Sequence, residues 1–245
     1  MVLASIFILM LPVAAFGQEA AKDQFNPEAN VQNAVTYLDR GNAKQKRGDL
    51  DGAMADYNQA IKLNPNYSTA YSNRGILRQM KGDLSGAMAD YNQAIKINPK
   101  NALAYNNRGI AYEKKGDIDG ALADYNQAIK INPNYAVAYN NRGNSKRKKG
   151  DIDGAMADYN QAIKFNPNYA LAYNNRGIIK RTKGDIDGAI TDFDRAITLN
   201  PKYAIAYRNR GNAKQKKGDN NGAIADFNRA IKLGSQRADI DLTPN

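Results

Sequence analysis

Arginine and aspartate recur at matching places six times along this chain of 245 residues. Asp124 follows Arg108, and Asp158 follows Arg142, at one fixed interval. A guanidinium and a carboxylate can form a bidentate ion pair, which stabilises a structure without acting on a substrate. The sequence contains neither histidine nor cysteine, which excludes imidazole bases, thiol nucleophiles and metal sites built from either group. We predict a protein that is not an enzyme, with no cofactor, metal or small-molecule substrate.

These residues lie in a unit of 34 residues that is repeated six times. The clearest copy is Ala102 to Tyr135, and an Arg-Gly pair recurs at the same place in every copy. Internal repetition at this period indicates an array of small helical units. The predicted units, numbered 1 to 6 below, are residues 34–67, 68–101, 102–135, 136–169, 170–203 and 204–237.

Within unit 3 the sequence predicts two short helices joined by a tight turn. Apolar residues fall at helical spacing in both halves of the unit. Between the halves, Gly116 can adopt the left-handed conformation that ends a helix, and Asp117 can accept hydrogen bonds from the start of the next helix. Pro133 ends the second helix, because the residue before a proline is disfavoured in the helical region.

Three further residues lie where the two predicted helices meet. Arg108 borders the packing face of the first helix and Asp124 that of the second, so we predict a partly buried ion pair here. The same reasoning pairs Arg142 with Asp158. Gly120 recurs inside every second helix although glycine weakens helices. We expect a neighbouring helix to approach closely at that position.

A set of positions in unit 3 follows a known spacing. They are Tyr105, Gly109, Tyr112, Ala121, Tyr125 and Pro133. With the 34-residue period, this set resembles the tetratricopeptide repeat. The resemblance covers residues 34 to about 237, although arginine stands before the glycine where the family usually has leucine. It implies an all-α fold, a right-handed α-solenoid of helix-turn-helix repeats that acts as a scaffold for another protein.

The N-terminal segment has a different composition from the repeats. Residues 2–13 form an apolar run without a charge, and small residues follow up to Gly17. This arrangement resembles a secretory signal peptide, and the run is short for a membrane span. We predict that residues 1–17 direct export to the periplasm or the exterior. No lysine or arginine precedes the run, so an uncleaved membrane anchor is the alternative. Residues 18–33 are predicted to be a polar lead-in.

The last unit departs from the others at both ends of its second helix. Asn220 replaces an apolar residue, and Leu233-Gly234 replaces Asn-Pro. Residues 238–245 are too few and too polar to form a capping helix, so apolar residues such as Ile224 are predicted to be left uncapped. Self-association through this C-terminal end and fraying of the end are both compatible with the sequence.

In the tetratricopeptide family, the first helix of each unit lines a concave groove that holds the partner. The resemblance maps the partner-facing residues of unit 3 onto Leu103, Asn106, Ile110, Glu113 and Lys114, and helical geometry places them away from the packing face. Reading the copies in order gives three rows of predicted groove residues. The rows are Asn106, Asn140, Asn174 and Arg208; Asn42, Ile110, Asn144, Ile178 and Asn212; and Lys114, Arg147, Lys148, Arg181 and Lys216.

These rows predict a trough lined with amides and bordered by positive charge. Such a surface suits an extended or acidic segment of another protein. The net charge of +11 also favours an acidic partner. A polyanion, either an envelope glycopolymer or a nucleic acid, is the alternative partner. Basic residues in the last turn of a helix also complement its dipole, so any single one of them can be purely structural.

Overall fold

A computed structural model describes residues 27–241 of the chain, and these residues form twelve α-helices without a β-strand. The predicted signal peptide, residues 1–17, lies outside the described residues. The helices are α1 (Pro27–Lys46), α2 (Leu50–Leu63), α3 (Ser68–Met80), α4 (Leu84–Ile97), α5 (Ala102–Lys114), α6 (Ile118–Ile131), α7 (Ala136–Lys148), α8 (Ile152–Phe165), α9 (Ala170–Thr182), α10 (Ile186–Leu199), α11 (Ala204–Lys217) and α12 (Asn220–Asp241). Each unit contributes a first helix, with an odd number, and a second helix, with an even number.

The turn inside each unit forms as the sequence predicts. Gly116 has φ of 84°, in the left-handed region where a side chain would be strained. Asp117 then caps α6, because its Oδ1 accepts a hydrogen bond from the backbone N–H of Gly120 at 2.8 Å. The expected reason for Gly120 was wrong: a Cβ there would lie 2.5 Å from Oδ2 of the capping Asp117, so the cap and not a neighbouring helix excludes a side chain.

Both ends of the repeat array contain more helix than the sequence predicts. Helix α1 begins at Pro27, so the part of the lead-in from residue 27 onward is helical. Proline is favoured at the first position of a helix, and Glu28 in the first turn complements the helix dipole. Helix α12 continues to Asp241, into the predicted tail, because unit 6 lacks the Asn-Pro that ends the other second helices.

The helices stack into an all-α solenoid with two layers. Each second helix packs against the first helix of its own unit, and those from α2 to α10 also pack against the first helix of the next unit. From α3 to α11, successive first helices also contact each other, whereas no contact of comparable extent joins successive second helices in the described part of the chain. The first helices are therefore closer together and form the inner layer of the array.

The core of units 1 to 5 is centred on one fully buried aromatic ring that is flanked by alanines. Tyr125 is fully buried in unit 3 between Ala121 and Ala128, which are also fully buried. A Cβ on Gly109 would lie 2.7 Å from Cε1 of this ring, so glycine lets the first helix rest on the tyrosine. This contact sets the close packing of the two helices in the unit.

The predicted ion pairs are confirmed. Arg108 donates hydrogen bonds to the two carboxylate oxygens of Asp124 at 2.8 and 2.7 Å, and Arg142 does the same to Asp158 at 2.9 and 2.6 Å. The two aspartates are only 5% and 3% exposed. The hydrogen bond to Asp124, opposed by burial, raises the pKa of the Arg108 guanidinium. Arg108 also donates to Asn92 of the preceding unit at 2.7 Å, so the pair joins neighbouring units as well.

Candidate functional site

The inner face is the surface of the first helices that points away from the second helices. In unit 3 it carries the side chains of Leu103, Asn106, Ile110, Glu113 and Lys114, which follow the length of α5. The equivalent side chains in the other units continue along the array and form parallel rows. Each row is named here and identified by its member in unit 3. They are the apolar row (Leu103), the amide ladder (Asn106), the middle row (Ile110) and the basic row (Lys114).

The amide ladder corrects the predicted groove. Asn106, Asn140 and Asn174 are only 2–3% exposed, so the prediction that they face a partner was wrong. Oδ1 of Asn106 accepts a hydrogen bond from Asn141 of the next unit at 3.0 Å, and Oδ1 of Asn140 accepts one from Asn175 at 2.9 Å. Successive first helices lie so close that a side chain at this position is enclosed by the neighbouring helix. These asparagines join units together.

The asparagines form one continuous chain of hydrogen bonds across four units. In each step an amide nitrogen donates to the next amide oxygen of the chain, alternately within a unit and to the preceding unit, over distances of 2.8 to 3.5 Å. The chain runs through Asn209, Asn174, Asn175, Asn140, Asn141, Asn106 and Asn107. It ends at Asn107, whose Nδ2 is buried without a hydrogen-bond partner in the described part of the chain. The sequence analysis did not select the second asparagine of each Asn-Asn pair for a role.

The middle row is half-buried and partly committed to internal hydrogen bonds. Asn42 accepts a hydrogen bond from the hydroxyl of Tyr57 at 2.9 Å, and Asn144 accepts one from Tyr159 at 2.8 Å. Burial raises the pKa of Tyr57 to about 12, so this hydroxyl stays protonated and keeps its donor role at neutral pH. The remaining predicted members of this row, also half-buried, are Ile110, Ile178 and Asn212.

The apolar row is a series of accessible hydrophobic side chains at the start of the first helices. Leu103, Leu171 and Ile205 are 37%, 45% and 48% exposed, and each stands at the second position of its first helix. Val137 continues the row in unit 4 and is half-buried. The sequence analysis named only Leu103 from this row. The same helical geometry, applied to every copy, would have found the others.

The basic row lies at the opposite end of the first helices. Lys114, Arg147, Lys148 and Lys216 are exposed, and Arg181 is half-buried. Lys148 pairs with Glu113 of the preceding unit at 2.6 Å, which partly neutralises the centre of the row. Nε of Arg181 is buried and has no hydrogen-bond partner among the described residues. The predicted cationic border is therefore present, with one internal ion pair.

Arg208 stands apart from the predicted row to which it belongs. It occupies the place in unit 6 that Asn106, Asn140 and Asn174 hold in units 3 to 5, but it is exposed. No following first helix covers it, because α11 is the last first helix of the described chain. Its positive charge is therefore presented at the C-terminal end of the inner face.

A cavity of about 340 Å³ lies outside the inner face, between units 3 and 4. Its walls include the cations Arg142, Lys146 and Lys149. Arg142 and Lys146 are paired with Asp158, and Lys149 with Asp119, at 2.6 to 3.0 Å. These positive charges are already balanced by carboxylates, which makes the cavity a poor site for an anionic small molecule.

The helices and acidic side chains of residues 27–241 also bear on membrane insertion and metal binding. None of the helices there combines the length and the apolar character that spanning a membrane requires. The same residues contain no group of acidic side chains placed to hold a metal ion.

Comparison with known proteins agrees with the architecture. The family model described as TPR repeat matches residues 41–82, 80–116, 143–180 and 179–218, which together exceed half of the chain. The chain belongs to the tetratricopeptide repeat family. Models described as tetratricopeptide repeat also match residues 102–135, 124–157 and 204–234 of this repeat protein. No curated protein matches the chain significantly.

Solved tetratricopeptide structures share the fold. MamA is 26% identical over 67% of this chain and 96% of its own, with a TM-score of 0.57. PilF of Pseudomonas aeruginosa is 15% identical over 84% of this chain and 93% of its own, with a TM-score of 0.75. YrrB, a TPR protein with an unusual peptide-binding site, is 24% identical over 73% of this chain and 92% of its own, with a TM-score of 0.53. The family and the fold support a protein-interaction scaffold as the general function.

Proposed function

We propose that this repeat protein binds an extended, acidic segment of another protein along its inner face. The observation that carries the proposal is that the apolar row and the basic row run in parallel on one surface. The apolar row can bury side chains of the partner, and the basic row can attract its acidic residues. YrrB provides a precedent for peptide binding within the same fold.

The spacing of the apolar row suggests the register of the bound segment. Packed helices lie about 8–10 Å apart, and successive first helices from α3 to α11 contact each other. A polyproline II segment has three residues per turn and rises about 3.1 Å per residue, so every third side chain returns to one face after about 9 Å. A segment with an apolar residue at every third position would therefore place one such side chain on each unit, with acidic residues directed toward the basic row.

A peptide-binding assay tests this proposal. The probe is a fluorescent peptide with leucine at every third position and proline and aspartate between, and its scrambled version is the reference. We expect the Leu103→Ser, Leu171→Ser, Ile205→Ser triple variant to lose about tenfold or more in affinity. Ile224→Ser removes an equally exposed apolar side chain outside the inner face and is expected to change nothing.

Two outcomes of this assay would contradict the proposal. Equal affinity for the ordered and the scrambled peptide would rule out the proposed register. Unchanged affinity in the triple variant would rule out the apolar row as the binding surface. Far-UV circular dichroism of each variant checks that the helices are retained.

Binding of a polyanion is the second candidate function, favoured by the exposed cations of the basic row. It predicts a different pattern in the same assay with single-stranded DNA or heparin as the probe. The affinity would fall steeply with salt, because binding releases counterions. It would be retained in the triple serine variant and lost when Lys114, Lys148 and Lys216 are replaced by glutamate.

We further propose that the protein acts outside the cytoplasm. The apolar run at residues 2–13, followed by small residues, supports this location. Mass spectrometry of the protein recovered from fractionated cells tests it. A mature form that begins at residue 18 is expected, and an intact N-terminus in the membrane fraction would indicate an uncleaved anchor instead.

A further inference from the structure

The two ends of the array present the two halves of an internal junction. At each internal junction, a second helix packs against the first helix of the next unit. Among residues 27–241, helix α12 has no following first helix, and α1 has no preceding second helix. Ile224 on α12 is 57% exposed, whereas its equivalents Leu122 and Met156 are half-buried. The face of α12 that a first helix would cover is therefore open.

The matching face of α1 is open to a similar degree. Arg108 and Arg142 have side chains that are 19% and 18% exposed, and each donates a hydrogen bond to an asparagine of the preceding unit. Arg40 is the equivalent residue of unit 1, and its side chain is 54% exposed. Within residues 27–241, Arg40 has no preceding unit to supply an asparagine acceptor. The asparagine that holds the acceptor position in unit 6 is Asn228, which is also exposed.

The amide ladder shows which residues of the two ends would meet if they formed such a junction. At the junctions of units 3 to 6, an asparagine of one unit bonds to an asparagine of the next, as Asn141 bonds to Asn106 at 3.0 Å. At the C-terminal end of the array, Arg208 of unit 6 occupies the position of Asn106. At the N-terminal end, Asp39 of unit 1 occupies the position of Asn141. Both residues are exposed, and neither has an ion pair in the described part of the chain. A neutral pair inside the array is thus replaced by opposite charges at its ends.

We propose that this protein associates head to tail with copies of itself, with α1 of one copy seated on α12 of another and Asp39 paired with Arg208. The junction repeats the packing of an internal one, so each copy retains one free end for the next. A heterologous contact of this kind extends into a chain unless it closes into a ring.

Two details bear on the strength of this contact. Helix α1 begins ahead of unit 1 at Pro27, and α12 continues past unit 6 to Asp241. At an internal junction, the C-terminal end of a second helix lies next to the N-terminal end of the following first helix. The extensions of α12 and α1 would therefore lie side by side and enlarge the contact. On the outer edge, Asn221 stands where units 1 and 3 to 5 have aspartate, so an ion pair found at internal junctions is missing. The association is therefore weaker than an internal junction and reversible.

Sedimentation velocity of the full chain over a range of concentrations tests the proposal. We expect the wild-type chain to show mass that increases with concentration and decreases with salt, because an exposed charge pair is screened. Asp39→Arg and Arg208→Asp each place like charges at the contact and should weaken association about tenfold or more. The double variant exchanges the two charges and should restore it. Leu171→Ser, which alters only the apolar row, should associate like the wild type.

Three results would overturn the proposal. The first is a chain that stays monomeric at every concentration. The second is association that neither single charge reversal weakens, which would indicate a different contact. The third is a double variant that fails to recover the association lost in both single variants. Because the peptide assay depends on the apolar row and this assay depends on the two ends, failure of one proposal is distinguishable from failure of the other.

Discussion

The junction between units 2 and 3 is built differently from the junctions that follow it. Between units 3 and 4, the side-chain contacts besides the Lys148–Glu113 pair are an amide pair on the inner face, an arginine–asparagine bond and an ion pair on the outer edge. These contacts join Asn141 to Asn106, Arg142 to Asn126 and Lys149 to Asp119. Between units 2 and 3 only the arginine–asparagine bond, from Arg108 to Asn92, is retained.

Two serines account for the difference. Ser72 stands where the later units have the first asparagine of the ladder, which leaves Nδ2 of Asn107 buried without a partner. Ser85 stands where an aspartate would pair with Lys115 on the outer edge. Asn101 compensates in part, because it donates to the hydroxyl of Ser72 at 3.0 Å and caps α5. The comparison shows that the same helix packing forms with or without the ladder, so the ladder adds stability to a geometry that the core already sets.

Alkaline pH is expected to produce the largest effect, and it divides the units by their core ring. Tyr57, Tyr91, Tyr125 and Tyr159 are fully buried in units 1 to 4, whereas phenylalanine replaces this tyrosine as Phe193 and Phe227 in units 5 and 6. Burial raises the pKa of Tyr57 to about 12, above the ordinary value of 10.0. A raised pKa in the folded state gives stability that is complete below pH 10 and is lost as the pH rises to about 12.

Urea unfolding at a series of alkaline pH values measures this effect. The free energy of unfolding should fall between pH 10 and about 12 in the wild type and fall less in the Tyr57→Phe, Tyr91→Phe variant. An equal decline in both proteins would show that these tyrosines are not responsible.

Removal of the ion-pair arginine should be more costly in unit 3 than in unit 4. Asp158 also contacts Lys146 at 3.0 Å, but Tyr112 replaces this lysine in unit 3, so Asp124 depends on Arg108 alone. Loss of one partner from a buried pair costs about 3–5 kcal/mol. Arg108→Ala should therefore destabilise the protein by about that amount and Arg142→Ala by less, as measured by urea unfolding. Tyr112→Lys should reduce the cost of Arg108→Ala, and an equal cost for the two arginines would contradict the comparison.

The amide ladder should contribute only where it is continuous. Asn141→Ala leaves Oδ1 of the buried Asn106 without its donor and should cost about 1–3 kcal/mol. Asn107→Ala removes one unsatisfied nitrogen and leaves another on Asn106, so we expect a change below about 1 kcal/mol. Urea unfolding of the two variants side by side measures the difference. A larger loss in Asn107→Ala would show that the ladder does not end there.

The smallest expected effect comes from restoring the outer edge at the second junction. Ser85→Asp places a carboxylate where the other junctions have one, opposite Lys115. Because the pair is exposed to solvent, the gain should be about 0–1 kcal/mol and should vanish in high salt. Ser85→Asn is the uncharged control, and an equal gain in this control would assign the effect to something other than charge.

Patterns within one unit were sufficient to predict the units themselves. The left-handed Gly116, the cap at Asp117 and the pair between Arg108 and Asp124 all follow from local spacing, because each depends on residues within one helix pair. The groove residues were predicted less well. Helical geometry correctly placed Asn106 on the inner face, but it gave no information about the neighbouring helix that covers this side chain.

The sequence by itself determined the all-α repeat, its period, the turns and the ion pairs inside each unit. Only the tertiary structure decided which inner-face residues remain accessible, because accessibility depends on the distance between helices that are far apart in the sequence. That distance buries Asn106, Asn140 and Asn174 in a ladder and leaves Leu103 and Leu171 exposed beside it. It also explains why Asp39 and Arg208 are exposed: they hold the two complementary positions of such a junction, but no neighbouring first helix of the described chain covers them.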